Sequence, residues 1–540
     1  MKVATIREVR EIEAAADRSG MSYEQMMLNA GAAASRALRQ RWTVDASTRI
    51  TFLVGTGNNG GDGLVMARSL ALSTEADISL YLLEPRSPAD ENYRAALEAG
   101  LPVALATDDD DRLRLKNLLL DADIIVDAVL GIGARLPLRG AAADVLATTG
   151  NCLSQRAKYA AERNRDMPAE HSETPPPVRP FVFAVDCPSG IDCDTGEADE
   201  HVIAADLTTT FIAAKPGLLT FPAAAFVGDL DLSPIGIPES LPELEGIKAE
   251  IVDSKLAACL LPPRPLDSHK GTYGKAMIVA GSPNYIGAIS LAGEAAYRAG
   301  AGLVTIATAA KLTEIVAGSL REPTWLPLPH TDGAIAEKAC QAVVDIVANY
   351  DTLLVGCGLG LRQSTSGFLR QLLASGSLPP LILDADALNI LSRAHRWWKQ
   401  LPPESIITPH AGEMARLTGK SAKEINANRW EIAREYSTAW NVALLLKGAH
   451  TLIAVPDGRI SVIPFKSDAL SKAGTGDALA GLIAGLRAQG LGAYDSARLG
   501  AYLHAAAGII AAATVGSSRS VVAGDVLSAV GSAFATLESL

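Results

Sequence analysis

Two series of short, β-branched runs alternate with amphipathic segments along this chain, and that alternation restricts it to layered α/β architectures. Between 50 and 232 the runs are "ITFLVG", "ISLYLL", "DIIVDAVLG", "FVFAVD" and "LTTTFIA". Beyond 270 they resume as "AMIVAG", "LVTIAT", "TLLVGCG", "LILDAD", "SIITPH" and "ALLLKG", and helical patterns follow from about 476. Strands spaced by helix-length segments indicate parallel sheets with crossover helices. At 540 residues the chain exceeds one core, given roughly 100 to 200 residues per domain. The break falls where Pro234, Pro238, Pro242, Pro262, Pro263 and Pro265 bracket one short helical pattern. Expected boundaries are a domain over 1–235, a junction over 236–266 and a second domain over 267–540. A polar stretch at 155–180, "QRAKYAAERNRDMPAEHSETPPPVRP", holds too few large apolar residues for a core and reads as a surface loop or disordered insertion.

With 48% hydrophobic and 20% charged residues the chain reads as soluble and globular, and a net charge of -12 argues against nucleic-acid binding. The N-terminus carries charges throughout and resembles neither a secretory signal nor a transit peptide, so a cytoplasmic location is expected. The longest uncharged run lies between Arg498 and Arg519; its Ala and Gly content, with His504 inside, favours a buried helix over a membrane span. Six cysteines show no C-x-x-C pair and read as reduced thiols in or near cores; Cys187 and Cys193 flank "PSGID".

Near the C-terminus, "AGTGDALAG" sets Gly474 and Gly476 before a helix entry. The free amides of such an entry stabilise phosphate, and Asp477 there suits a general base facing a hydroxyl; equally, Thr475 or Asp477 could serve only as the helix cap. Lys447 and Gly448 end a strand in "LLLKGAHT", where a cation and free amides meet nucleotide phosphates, or where a lysine merely meets solvent. In "ITPHAGEMARL", Thr408 is the expected cap, Pro409 the first helical residue, and His410 faces the same edge. Asp384 and Asp386 follow a strand and either bind magnesium or cap the next helix.

The first half has its own glycine turn. Gly55, Gly57 and Gly60 follow a strand in G-x-G-x-x-G spacing, with Glu84 ending the next strand, which alone is a dinucleotide fingerprint. Asn58, Asn59, Gly61 and Asp62 add side-chain oxygens that position a sugar or ring, or ligate a hard cation. Asp127 ends one strand before "LGIGARLPLRG", and Asp186 and Ser189 follow another; each is turn chemistry taken singly and a shared pocket taken together.

Taken in order, "SHKGTYGKAMIVAGS", "GAGLVTIAT", "LLVGCGLG", "LILDADALN", "TPHAGEMARL", "KGAHT" and "AGTGDALAG" resemble the ADP-dependent NAD(P)H-hydrate dehydratases, a ribokinase-like family, over about 250–540. The first half resembles the NAD(P)H-hydrate epimerase domain, of Rossmann-like fold, over about 1–235. The resemblance implies that Lys447, Gly448, Ala449, His450, Thr451 and Gly476 contact an adenine nucleotide, while Ala288, Gly358, His410 and Asp477 surround the hydrate. In the first half it implies that Asn58, Asn59, Gly60, Gly61 and Asp62, the loop Gly131, Ile132, Gly133, Ala134, Arg135, Leu136 and Pro137, and Asp186 bind the hydrate. By the same resemblance Asn59, Asp127 and Ser189 hold potassium. Asp186 is the expected acid/base and Lys215 its partner, Asp477 the base of the second half. The implied cosubstrate is ADP, with Mg2+ on the nucleotide; the substrates are hydrated NADH and NADPH, and a homo-oligomer is expected.

One chain would then need two nucleotide pockets because two reactions are needed. Water adds to the nicotinamide ring from either face, the dehydratase takes one epimer, and an epimerase supplies the other. The competing readings are a vitamin or sugar kinase fused to a redox domain, and a nucleotide sensor without turnover.

Overall fold

A computed structural model describes residues 1–166 and 179–540. The chain divides into two compact units, Met1–Ile247 and Lys248–Leu540. The proline-bracketed stretch is shared between them. Leu241 and Ile247 join the core of the first unit, whereas Ala249–Ile251 is a strand and Ser254–Cys259 a helix of the second.

The first unit is built on strands β1 (Arg49–Val54), β2 (Asp77–Leu82), β3 (Val103–Leu105), β4 (Ile124–Ala128), β5 (Phe181–Val185), β6 (Leu207–Phe211) and β7 (Asp229–Ser233). They lie in the order β3-β2-β1-β4-β5-β6-β7, every neighbouring pair parallel. This is the Rossmann-like doubly wound sheet. Strands covered on both faces need near-continuous apolar sequence, as in β1, "RITFLV", where only Arg49 is exposed. Strand order reverses beside β1, so the loops leaving β1, β4 and β5 open a crevice at the sheet's carboxyl edge. Glu84 lies exposed beyond the end of β2 rather than within it.

The stretch expected as a loop from 155 instead continues a helix, Gly140–Asp166. Its Ala, Arg, Lys and Glu content makes it a good helix former despite its polarity. Residues 167–178 of that expected loop lie outside the described residues.

The second unit has strands β8 (Ala249–Ile251), β9 (Lys275–Val279), β10 (Leu303–Ala309), β11 (Thr324–Leu328), β12 (Thr352–Val355), β13 (Leu381–Leu383), β14 (Ile406–Ile407), β15 (Ala443–Leu446), β16 (Leu452–Ala454) and β17 (Ile460–Val462). Their order is β8-β17-β16-β15-β14-β13-β12-β9-β10-β11. Pairing is parallel except for β15 with β16 and β16 with β17. This is the ribokinase-like α/β unit. Two helices are locked together by small residues: a Cβ on Gly481 or Gly485 of helix Thr475–Ala488 would lie 2.3 Å from the Ala292 or Ala296 carbonyl oxygen of helix Gly287–Arg298. That close approach places Asp477, at one helix start, relative to Ala288, at the other. Helix Ala493–Val515 is long and apolar enough to cross a membrane, but 61% of its apolar window is buried inside the protein, as its Ala and Gly content implied.

Candidate active sites

In the first unit the crevice is a cavity of about 660 Å³ lined by Glu13, Asn58, Asn59, Asp62, Gly131, Asp186 and Lys215, among others. Asp186 leaves β5 with φ of 63°, a conformation rare for residues with a Cβ, and strain of that kind persists where neighbours hold it. Lys215 holds it here. Its Nζ donates to Asp186 Oδ1 at 2.6 Å, to Thr210 Oγ1 at 2.7 Å and to the Phe211 carbonyl at 3.2 Å, which occupies all three ammonium protons. Thr210 Oγ1 in turn donates to Asp186 Oδ1 at 3.0 Å. Burial alone would lower the Lys215 pKa, but the Asp186 carboxylate outweighs it and the ammonium is held above the usual lysine range. Both bonds fall on Oδ1; among the described residues Oδ2 accepts none.

Facing this pair are two acids of the opposite tendency. Asp62, in the first turns of helix Asn58–Ser73, is pushed well above the usual carboxyl range by burial, then by Asp186 and Glu13. Glu13 is raised by burial and by Asp186. The site thus combines a lysine-paired carboxylate with carboxyls whose pKa values are raised.

Behind the glycine turn, Asp127 is buried; its Oδ1 accepts from the Ser189 hydroxyl at 2.5 Å and its Oδ2 from the Ser189 amide at 2.8 Å. Burial raises the Asp127 pKa. Both side-chain polar atoms of Asn59 are buried without a hydrogen-bond partner. An unpartnered amide oxygen such as Asn59 Oδ1 suits a hard cation, whereas the Asp127 oxygens are bonded to Ser189. The G-x-G-x-x-G turn itself is tied internally, since Arg86 donates to the carbonyls of Gly55 at 2.8 Å and Gly57 at 2.7 Å. A Cβ on Gly60 would lie 2.1 Å from the Gly55 oxygen, so these glycines serve the turn's own packing.

In the second unit, helix Thr475–Ala488 starts at Gly474, whose φ is 90°, with no side-chain cap. Thr475 Oγ1 donates to the carbonyls of Leu470 and Lys472, both at 2.8 Å, so neither Thr475 nor Asp477 is spent on capping. Asp477 carries a pKa raised to about 6 by burial and by Asp384. The Cys357 sulfur and oxygens of Asp384 and Asp477 all lie within 4.8 Å of one another. Burial and Asp477 push the Cys357 thiol well up, so it stays protonated. Lys447 Nζ donates to Asp384 Oδ1 at 2.7 Å and lies 3.8 Å from Glu413 Oε2. Glu413 is raised to about 7, by burial first.

Thr408 was the expected cap of the next helix, yet His410 takes that place. Helix Ala411–Thr418 begins after His410, whose Nδ1 accepts from the Gly412 amide at 2.9 Å while Glu413 Oε2 accepts from the His410 amide at 2.9 Å. Thr408 is buried and donates to Asp384 Oδ1 at 2.7 Å. Asp384 and Asp386 cap nothing; Asp386 Oδ2 accepts from the Gly360 amide at 2.8 Å. Gly358, at φ 61°, meets Ala288: a Cβ on the glycine would lie 2.8 Å from the Ala288 Cβ.

A cavity of about 410 Å³ is lined by His410, Lys447, Gly448, Ala449, Thr451, Gly476 and His504, among others. His450 does not line it; the ring turns inward, with Nδ1 3.3 Å from the Ile463 carbonyl, and burial lowers its pKa to about 4.

Residues 276–529 match the family model described as NAD(P)H-hydrate dehydratase, and residues 23–217 match the YjeF-related protein N-terminus. The bifunctional NAD(P)H-hydrate repair enzyme of Moorella thermoacetica is 37% identical over 508 residues, covering 93% of this chain and 90% of that relative. The repair enzyme of Thermofilum pendens is 34% identical over 519 residues, covering 95% and 92%. The chain belongs to the bifunctional NAD(P)H-hydrate repair enzymes. A Bacillus subtilis ADP/ATP-dependent NAD(P)H-hydrate dehydratase, co-crystallised with ATP and Mg2+, is also similar, at 30% identity over 54% of this chain and 99% of that chain, with a TM-score of 0.45.

Against this family background, sequence reasoning missed Glu13, Thr210, Cys357, Glu413 and His504. Glu13 sits in an amphipathic helix among other charges, and nothing local sets it apart. Thr210 had a weak signal, the run "LTTTF" shortly before Lys215. Cys357 follows a strand between two glycines, a position where the second-half motifs concentrate.

Proposed function

We propose that the first unit interconverts the two epimers of hydrated NAD(P)H and that the second dehydrates one of them at the expense of ADP, in the cytoplasm. The observation that carries the reading is the pairing of two proton-handling sites of different construction: a carboxylate salt-bridged to a buried lysine, and a carboxylate at an uncapped helix entry beside a lysine.

The hydrated ring bears its hydroxyl on a saturated carbon next to the ring nitrogen. In the first unit, protonated Asp62 gives its proton to that hydroxyl as the C–O bond breaks and the nitrogen lone pair forms C=N; water leaves. Asp186 then takes a proton from the water re-adding to the other face, with Lys215 and Thr210 holding its carboxylate in place. Asn59, Asp127 and Ser189 would hold potassium, which would supply a fixed positive charge to the site.

In the second unit, hydroxide is a poor leaving group, and phosphorylation makes it a good one. Asp477 removes the hydroxyl proton while the free amides at the start of helix Thr475–Ala488 stabilise the transferring phosphoryl group. The C–O bond then breaks with phosphate leaving, and loss of a proton from the neighbouring ring carbon restores the dihydronicotinamide. Asp384 and Asp386, which cap no helix, would hold Mg2+, which would neutralise the nucleotide's charge. Lys447, Gly448, Ala449, Thr451 and Gly476 cradle the nucleotide.

Hydrated NADH incubated with the protein and ADP, ATP or neither should recover dihydronicotinamide absorbance only with nucleotide, and faster with ADP. No recovery with either nucleotide would remove the dehydratase reading. Asp127→Ala should need more potassium for epimerisation or respond to none, because a hard-cation site loses its anionic ligand. An unchanged potassium titration would exclude Asp127 as a ligand.

A further inference from the structure

A dinucleotide has a reacting ring at one end and two to three phosphates towards the other, and the Asp186 cavity suits only the first. Glu13, Glu24, Asp62 and Asp186 line it against two cations, Lys215 and Arg10, so a pyrophosphate beside Lys215 would face carboxyl groups and a cation already bound on all three protons. A second cavity, of about 850 Å³, adjoins it. The two share Arg10, Ile132, Gly133 and Ala134, so the loop that borders the ring pocket also borders its neighbour. The outer cavity is richer in cations, with four arginines lining it beside Glu11, Asp194 and Glu243. Arg7, Arg10 and Arg18 reach it from one face of helix Ile6–Arg18, while Val9, Ile12 and Ala16 of the same helix are buried in the core; Arg135 faces them from the loop.

These arginines are not equivalent. Arg7 lies 3.5 Å from Glu11, and Arg18 lies 3.5 Å from Glu243, so both are already balanced. Arg10 and Arg135 have no ion-pair partner among the described residues. Arg10 belongs to both cavities, at the point where a chain leaving the ring pocket must cross; Arg135 belongs to the outer one alone. An unpaired guanidinium offers phosphate a planar, two-pronged donor set.

We infer that the epimerase site is bipartite, with the reacting ring in the Asp186 cavity, the pyrophosphate crossing loop 131–134 onto Arg10, and Arg135 reading the additional phosphate of the NADPH form in the outer cavity. This rests on the epimerase reading above and extends it to how the same site tells the two hydrates apart. Arg10 and Arg135 are binding residues and take no part in the proton transfers.

The test is epimer interconversion by the full chain without adenine nucleotide, followed by chromatography, using three substrates: hydrated NADH, hydrated NADPH and hydrated reduced nicotinamide riboside. Arg10→Gln should raise KM for both dinucleotides about tenfold with kcat within about twofold. Arg135→Gln should raise KM about tenfold for the NADPH hydrate and less than about twofold for the NADH hydrate. Neither variant should alter kcat/KM on the riboside, which carries no phosphate. Unchanged KM values, a loss in kcat, or an equal loss on the riboside would overturn the bipartite site; equal Arg135→Gln effects on both dinucleotides would overturn its role in discrimination. Failure of the unmodified chain to interconvert the epimers would instead remove the epimerase reading.

Discussion

Asp477→Asn is expected to stop nucleotide-driven recovery of NAD(P)H, lowering kcat by about 10²- to 10⁴-fold, the range a positioned general base contributes. Asn is isosteric and keeps the hydrogen-bonding volume beside Cys357, but it takes no proton. Nucleotide affinity should change little, because Lys447 and residues 448–451 are untouched. The pH dependence provides an independent check. A base with a pKa raised to about 6 works only when ionised, so the dehydration rate of the unmodified protein should fall as pH drops through about 6. Stability should move the other way. A carboxyl whose folded pKa lies above its unfolded value of 3.8 contributes most below that value and loses the contribution as pH rises through about 6. At neutral pH the buried ionised Asp477 is therefore a cost, and Asp477→Asn should unfold no earlier than the unmodified protein. A variant that lost activity together with a large fall in melting temperature would show a structural role instead. Epimer interconversion should continue at the unmodified rate.

Asp186→Asn is expected to do the converse. Given both epimers and excess ADP, recovery should begin at the normal rate, then slow sharply once the usable epimer is gone, leaving the other to convert only at its uncatalysed rate. The expected loss in epimerisation is again about 10²- to 10⁴-fold. It has a second cause here: Lys215 is fully buried, and removing its partner leaves an uncompensated ammonium in the first unit. Asp186→Asn should therefore also destabilise that unit, in contrast to Asp477→Asn. The double variant Asp186→Asn, Lys215→Met separates the two effects, since it should regain stability without regaining epimerisation. Consumption of both epimers at the unmodified rate by Asp186→Asn would remove its catalytic assignment.

The architecture was legible along the chain because its signals are local. Apolar runs such as "RITFLV" and "ALLL" are buried on both faces as their composition demands, and the glycine turns before "NNGGDG" and "GDALAG" stand at helix starts. Asp186, Asp477 and Lys447 were recognisable from the strand ends and helix entries that carry them. Capping was less legible: Thr408 and His410 both stand before the same helix, and the choice of His410 depended on Asp384, 24 residues away, drawing the Thr408 hydroxyl to itself. The helix through 155–166 was hidden because polarity signals exposure without excluding regular structure.

What the sequence could not determine were quantities set by neighbours distant along the chain. How far the Asp62 pKa rises depends on its burial and on Asp186 and Glu13, and the raised pKa of Asp477, about 6, depends on its burial and on Asp384. Lys215 was the expected partner of Asp186, with a strand-end role as the alternative, and the fold set it 2.6 Å from Asp186, where Thr210 of β6 donates to the same oxygen. Side-chain identity determines which chemistry a residue can perform; only tertiary packing sets the desolvation and partner charges that decide which of those reactions occurs at neutral pH.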